Sequence, residues 1–412
     1  MPPRLSTCGI VPRVNTMKKF TFFAAVILAA LFALSPRALF SHETITTTVT
    51  FDREISRIFR KKCVECHNEK SLSVPLTSYE EARPWARAIE EEVLARRMPP
   101  WHAVQGYGNF ANDVSLTNRE IQFIVSWVEG NGPKSKDQQL IENFGETPPA
   151  TQTKEDEKWG LGTPDIVKAL PAESVAPSGA PDRVRRVRVD LGFSTAKWVR
   201  ALEFQPEDRR ALRAAFFSLE ETGQWLGSWT PWYGVTTLPR DMAYRIPGGS
   251  HVLVELHYQS SNEPFSDGGS LGLYFAEKPA SHHPDDLTIE ALGDGSSATA
   301  TQKLTGSARI AANSGILALR PEMQQGIDSL EVSAAKPDGT IEVLLLVRNA
   351  EPAWPTPYIL KQSVPLPKNS EIRVTAYAHG EKPLSKFRLT VSLYENAEPA
   401  HLTKVRRATV DR

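Results

Sequence analysis

From Trp159 onward the apolar residues of this chain abandon helical spacing for alternation, and alternation commits a chain to strands with one face buried. Val184, Val187 and Val189 begin the pattern, followed by Trp198, Val199, Ala201 and Leu202. Val252-Leu253-Val254-Glu255-Leu256-His257 and Leu271-Gly272-Leu273-Tyr274-Phe275 continue it. Leu330 to Ala334 and Ile341 to Leu346 flank Pro337-Asp338-Gly339, which reads as a β-hairpin with its turn. Glu371 to Tyr377 and Phe387 to Leu393 complete the set. Short strands between Pro/Gly turns predict two jelly-roll-like β-sandwiches in tandem, over 159–280 and 285–400. The break between them is a stretch rich in Pro, His and Asp.

Residues 45–135 carry a helical period instead. Asp52 is placed to N-cap a helix through Ile55, Ile58 and Phe59. Ser78 with Glu81 and Thr117 with Glu120 are capping-box pairs. The first opens a helix to Arg97 with an irregular turn at Pro84. The second opens a helix with Ile121, Ile124, Trp127 and Val128 on one face and Gly130 as its stop. Residues 136–158 are polar, broken by Pro and Gly, and read as a linker. The expected fold class is multi-domain: an N-terminal all-α domain at 45–135, then two all-β sandwiches.

Between the first two helices lies Cys63-Val64-Glu65-Cys66-His67. C-x-x-C-H is the attachment sequence of a c-type haem. Two thiols at this spacing add across the vinyl groups of one porphyrin, and the following His becomes an axial iron ligand. Zinc would need four protein ligands, and no second Cys pair exists in the chain. A redox dithiol would sit on a βαβ pattern and would not need His67. The expectation is one covalent haem c on Cys63 and Cys66, with His67 on the iron.

The third cysteine, Cys8, lies in the pre-sequence, so no disulfide framework remains. A net charge of +0 gives no reason for a nucleic-acid partner. Met17-Lys18-Lys19 precedes an apolar run from Phe20 to Leu34, broken only by Thr21, and Ser35 to Ser41 reads as a cleavage region. Residues 1–41 are thus a pre-sequence and export signal, and the mature chain is periplasmic or otherwise exported. An uncleaved signal that anchors it in the membrane is the alternative.

The helices around the C-x-x-C-H motif resemble a small class I cytochrome c domain across 45–135. That resemblance implies a second axial ligand, a Met on a loop after a helix. Met98 fits that position, with Pro99 and Pro100 stiffening the loop behind it. His102 is the rival ligand. Trp101 and Trp127 are assigned to packing about the haem.

A second resemblance spans most of 159–378. Trp159-Gly160-Leu161-Gly162-Thr163-Pro164-Asp165, Lys197 to Phe204, Trp232-Tyr233-Gly234 through Ile246-Pro247-Gly248-Gly249-Ser250 to Tyr258, Pro337-Asp338-Gly339 and Leu366-Pro367-Lys368 carry it. They look like the copper type II, ascorbate-dependent monooxygenases of the peptidylglycine-hydroxylating type. That family implies an adjacent His pair and a third His in the first sandwich, with a His-x-His pair and a Met in the second. The pair falls here on Arg213-Ala214, and the third position is His257. The His-x-His positions are Glu322 and Gln324, and no Met follows Met323. Imidazole and thioether suit a copper that cycles between oxidation states, and these replacements supply neither. Copper is therefore not expected, and His257 is the one residual copper-site position. His282-His283 lies in a Pro/Asp loop with no third ligand in view.

The functional expectation is electron transfer with a redox partner protein, the β module serving for docking or structure. Two alternatives stand beside it. One is a haem-fed oxidoreductase with a site rebuilt around His257 or Glu322, and the other is a haem subunit of an envelope complex.

Overall fold

The computed structural model describes residues 46–135, 159–175, 183–261, 263–293, 301–380 and 384–395. The export signal and the 136–158 linker lie outside them.

An all-α domain at 45–135 ahead of two sandwiches is not what the chain forms. It is mostly β, 44% strand against 13% helix. From Thr47 onward it forms one compact unit. The helices are short: α1 Ser56–Lys62, α2 Tyr79–Ala82, α3 Ala86–Leu94 and α4 Asn118–Glu129. A π turn, Phe51–Ile55, leads into α1, and a 3-10 turn, Arg83–Trp85, accommodates Pro84 between α2 and α3. Both capping boxes form, Ser78 with Glu81 and Thr117 with Glu120. Asp52 is not the expected cap: Thr50 stands at that position, and the buried Asp52 carboxylate accepts from the Ser135 amide at 2.7 Å. α3 ends at Leu94, short of Arg97, because Arg96 turns left-handed at φ 55°.

What overturns the separate helical domain is the chain between α3 and α4. Trp101, Ala103, Phe110 and Val114 do not turn back into the helices. They join the core of the C-terminal β-structure. The helices keep a smaller core of their own around Phe51, Phe59, Ile124 and Trp127.

The first β-region comprises β1 Ile166–Leu170, β2 Ser174–Val175, β3 Arg183–Asp190, β4 Lys197–Pro206, β5 Leu212–Leu219 and β6 Trp225–Trp229. It continues with β7 Val235–Thr237, β8 Tyr244–Ile246, β9 His251–Tyr258, β10 Phe265–Ser266 and β11 Gly269–Phe275. One sheet runs β1-β11-β4-β7 with β8 also on β4, and the other runs β3-β9-β5-β6. Leu202 and Phe204 of the first meet Phe217 and Val254 of the second in one core, the Phe204 and Phe217 rings 5.3 Å apart. This is a β-sandwich, and the alternating burial of β9 is its sequence signature.

The second region comprises β12 Asp285–Gly293, β13 Gln302–Arg309, β14 Ser314–Pro321 and β15 Ile327–Ala335. β16 Ile341–Val347, β17 Tyr358–Leu366, β18 Glu371–Ala378 and β19 Lys386–Glu395 follow. They form one antiparallel sheet in the order β16-β15-β18-β13-β12-β19-β14-β17. A sheet's edges expose unpaired N–H and C=O groups. Here the 102–111 segment pairs with both edge strands. The Val104 amide donates to the Leu346 carbonyl at 2.8 Å and the Arg348 amide to that of His102 at 3.1 Å. On the other edge, the Ala111 amide donates to the Ile359 carbonyl at 2.7 Å and the Lys361 amide to that of Asn109 at 2.8 Å. Trp101, Phe110 and Tyr358 pack ring to ring beneath this strap, at 5.2 to 5.8 Å.

Candidate functional site

The C-x-x-C-H stretch leaves α1 in a tight turn. The Cys63 amide continues the helical ladder to Phe59, and the Cys66 and His67 amides both donate back to the Cys63 carbonyl, at 3.0 and 2.9 Å. Asn68 fixes the loop that follows: its Nδ2 donates to the Val64 carbonyl at 3.0 Å and its Oδ1 accepts from the Lys70 amide at 3.0 Å. The Leu76 amide returns to the His67 carbonyl at 3.0 Å.

His67 Nδ1 lies 2.9 Å from the Val74 carbonyl oxygen. A carbonyl can only accept, so Nδ1 is the donor, and in the neutral ring the lone pair then sits on Nε2. That is the tautomer of a metal-binding imidazole oriented through its other nitrogen. Both thiols are free and partly buried. Burial pushes the Cys63 thiol up to about 12, with Cys66 adding to the effect. Burial likewise pushes Cys66 up to about 12, with the Glu65 charge next in importance. A redox-active dithiol works through a depressed pKa, so this environment argues against the dithiol alternative.

Met98 lines a cavity of about 360 Å³ together with His102, Leu116 and Ile121. The two rival ligands therefore share one chamber. Cys63, Cys66 and His67 are not among its lining residues. Cys66 instead lines a wider cleft of about 1290 Å³ together with Arg213 and Trp354. His102 Nε2 is buried with no hydrogen-bond partner, and burial lowers the ring's pKa, keeping it neutral. Trp101 lines the cavity, and its ring packs on Phe110 and Tyr358 of the strap and sheet. Trp127 packs on Phe51 and Phe59, and its Nε1 donates to the Pro133 carbonyl at 3.1 Å.

The positions that the monooxygenase resemblance would assign to copper are each engaged otherwise. The register pairs Ala214 on β5 with His257 on β9. His257 Nε2 lies 2.7 Å from Glu255 Oε1, and its ring meets the edge of Phe216. Arg213 donates to the Ala353 carbonyl at 3.2 Å and lies over the Trp354 ring at 5.0 Å. Glu322 is ion-paired with Arg388 at 3.1 Å, and Gln324 Nε2 donates to the Lys386 carbonyl at 3.1 Å. His282 rests beside Tyr394, and His283 is exposed. Glu220, Glu221 and His251 converge on the surface, but Arg188 already pairs with Glu220 and His251 with Glu221.

Three contributors carry no motif. Arg209 pairs with Glu65 of the C-x-x-C-H stretch while stacking on Trp229 at 5.5 Å, which ties that stretch to the first sandwich. Arg348 lines the Met98 cavity from the second β-region. Asn112, 2% exposed, donates to the Pro357 carbonyl at 2.6 Å and accepts from the Ile359 amide at 3.1 Å.

No family model and no curated protein matches the chain. Among solved structures, the major capsid protein P2 of bacteriophage PM2 is similar at TM-score 0.24 and 10% identity, over 56% of this chain and 97% of that one. A Paenibacillus xanthan lyase is similar at TM-score 0.18 and 8% identity, over 56% of this chain and 25% of that one. Neither likeness is close enough to carry an argument about function. Among the described residues no helix is long and apolar enough to cross a membrane.

Proposed function

We propose that this chain carries one haem covalently on Cys63 and Cys66, with His67 as an iron ligand, and that it serves in electron transfer with a redox partner protein outside the cytoplasm. The observation that carries the reading is the His67 imidazole, held through Nδ1 by the Val74 carbonyl so that Nε2 is free for a metal, directly beside two free thiols at the C-x-x-C-H spacing. Bound haem would supply a one-electron couple. The protein's part is to orient His67, hold the porphyrin through two thioether links, and offer Met98 as the sixth ligand from the loop after α3. The two β-regions serve as scaffold and docking surface. We assign them no copper centre: Arg213, Glu322 and Gln324 stand where a monooxygenase would place ligands and are engaged with Trp354, Arg388 and Lys386.

The test is the visible spectrum of chain purified from a host able to mature cytochromes c. A spectrum of low-spin haem that survives denaturation, and that Cys63→Ser with Cys66→Ser abolishes, is the expected result. Met98→Ala should open the iron to added ligands and lower the potential, whereas His102→Ala should leave both unchanged. The reverse pattern would assign His102. A chain that carries no haem in that host would overturn the reading.

A further inference from the structure

The Met98 cavity has a polar wall that iron ligation does not explain. Arg96 and Arg348 line it from opposite parts of the fold, one at the end of α3 and the other just past β16. Arg96 Nη2 donates to Asn118 Oδ1 at 2.9 Å. Arg348 has no ion-pair partner among the described residues. No Asp or Glu lines the cavity, and Glu351, the one carboxylate that acts on His102, stands outside the lining. His102 Nε2 reaches the same region buried and unpartnered. A buried polar nitrogen left without a partner is costly, and native structures nearly always satisfy one with protein, water or ligand. Leu116 and Ile121 add apolar side chains to the same lining. Guanidinium groups, a neutral imidazole and apolar side chains around one chamber of about 360 Å³ match an acid group with a compact hydrophobic body.

We propose that this cavity binds a carboxylate, its acid group on Arg348, Arg96 and His102 and its apolar body along Leu116 and Ile121. The carboxylate has two sources. One is a free small organic acid, which requires no haem. The other is a propionate of the haem carried by the same chain, and this source rests on the reading above. The site would join the loop bearing Met98 to the second β-region, because Arg348 follows β16 directly.

Calorimetric titration of the full chain with benzoate, and with benzyl alcohol as the uncharged control, distinguishes the sources when iron content is measured on the same sample. A free-acid site gives saturable benzoate binding at least tenfold tighter than benzyl alcohol, and Arg348→Gln weakens it about tenfold. A propionate site gives no benzoate binding to iron-loaded chain, but Arg348→Gln then shifts the pH dependence of the haem spectrum. Arg348 is exposed, so its variant keeps the fold even where His102→Gln does not. Benzoate binding that Arg348→Gln leaves untouched, or no binding together with an unshifted haem spectrum, overturns the proposal. A chain found free of iron refutes the haem reading alone, and the benzoate titration still decides the cavity.

Discussion

Asn112 shows how much a single uncharged side chain can hold. Its side-chain amide satisfies the Pro357 carbonyl and the Ile359 amide where β17 begins, and its backbone carbonyl accepts from Trp232 Nε1 at 3.1 Å. The end of the strap, the first sandwich and the second β-region meet at this residue. Asn112→Ala leaves two buried backbone groups unpaired and should cost about 2–4 kcal/mol. Urea unfolding of the variant checks this, and a loss under about 0.5 kcal/mol would show that water replaces the amide. Glu203 does comparable work in the first sandwich, where its buried carboxylate accepts from the Gly160 amide at 2.8 Å and from the Tyr274 hydroxyl at 3.1 Å. The sequence marked the Trp159 to Asp165 stretch as distinctive, but Glu203 lies far off along the chain, and spacing alone cannot reveal such a partner.

Among the elements, the helix caps were readable because a capping box is a local event: two side chains three residues apart exchange bonds with each other's backbone. The hydroxyl of Thr77 and the neighbouring amides hold the Glu81 carboxyl below the usual carboxylate range. A depressed carboxylate contributes stability above its unfolded pKa, and that contribution is lost as pH falls through the folded value. The α2 cap should therefore loosen in acid, below the ordinary carboxylate range. Thr77→Val should move the Glu81 titration, followed by carboxyl NMR, upward toward its ordinary position. An unmoved titration would show that the hydroxyl bond is not its cause. The strap escaped the sequence reading although its signal was present. Phe110, Asn112, Val114 and Leu116 are buried in strict alternation, a strand's pattern set between two helices. With Asn in the series and only a few residues on each side, the helical context outweighed it. A chain beginning at residue 159 leaves the edges of β16 and β17 open and should self-associate in light scattering, whereas chain from residue 46 should not. A monodisperse 159–412 fragment would show that the strap is dispensable.

At the scale of the whole molecule, one chain weaves its three regions together and does not string them as beads. Glu65 pairs with Arg209, Arg213 reaches Trp354, and the Trp225 amide donates to Asp286 at 2.9 Å. The alternation after Trp159 foretold the strands and the first sandwich because period two is a property of each strand alone. It could not foretell that the second region would be one eight-stranded sheet closed by a segment from the N-terminal side, since that pairing joins residues some 250 positions apart. The candidate site divides in the same way. Cys63, Cys66 and His67 were legible as contiguous chemistry, and Met98 and His102 as loop residues, but Arg348 reaches their cavity only through the fold. The central claim, that this fold presents Cys63 and Cys66 for covalent haem, is tested most directly by the intact mass of denatured chain from a cytochrome-maturing host. The account predicts a mass increased by one haem, lost when Cys63 and Cys66 are both changed to Ser. A native chain whose mass shows no such increment, in a host that loads a control cytochrome, would contradict it.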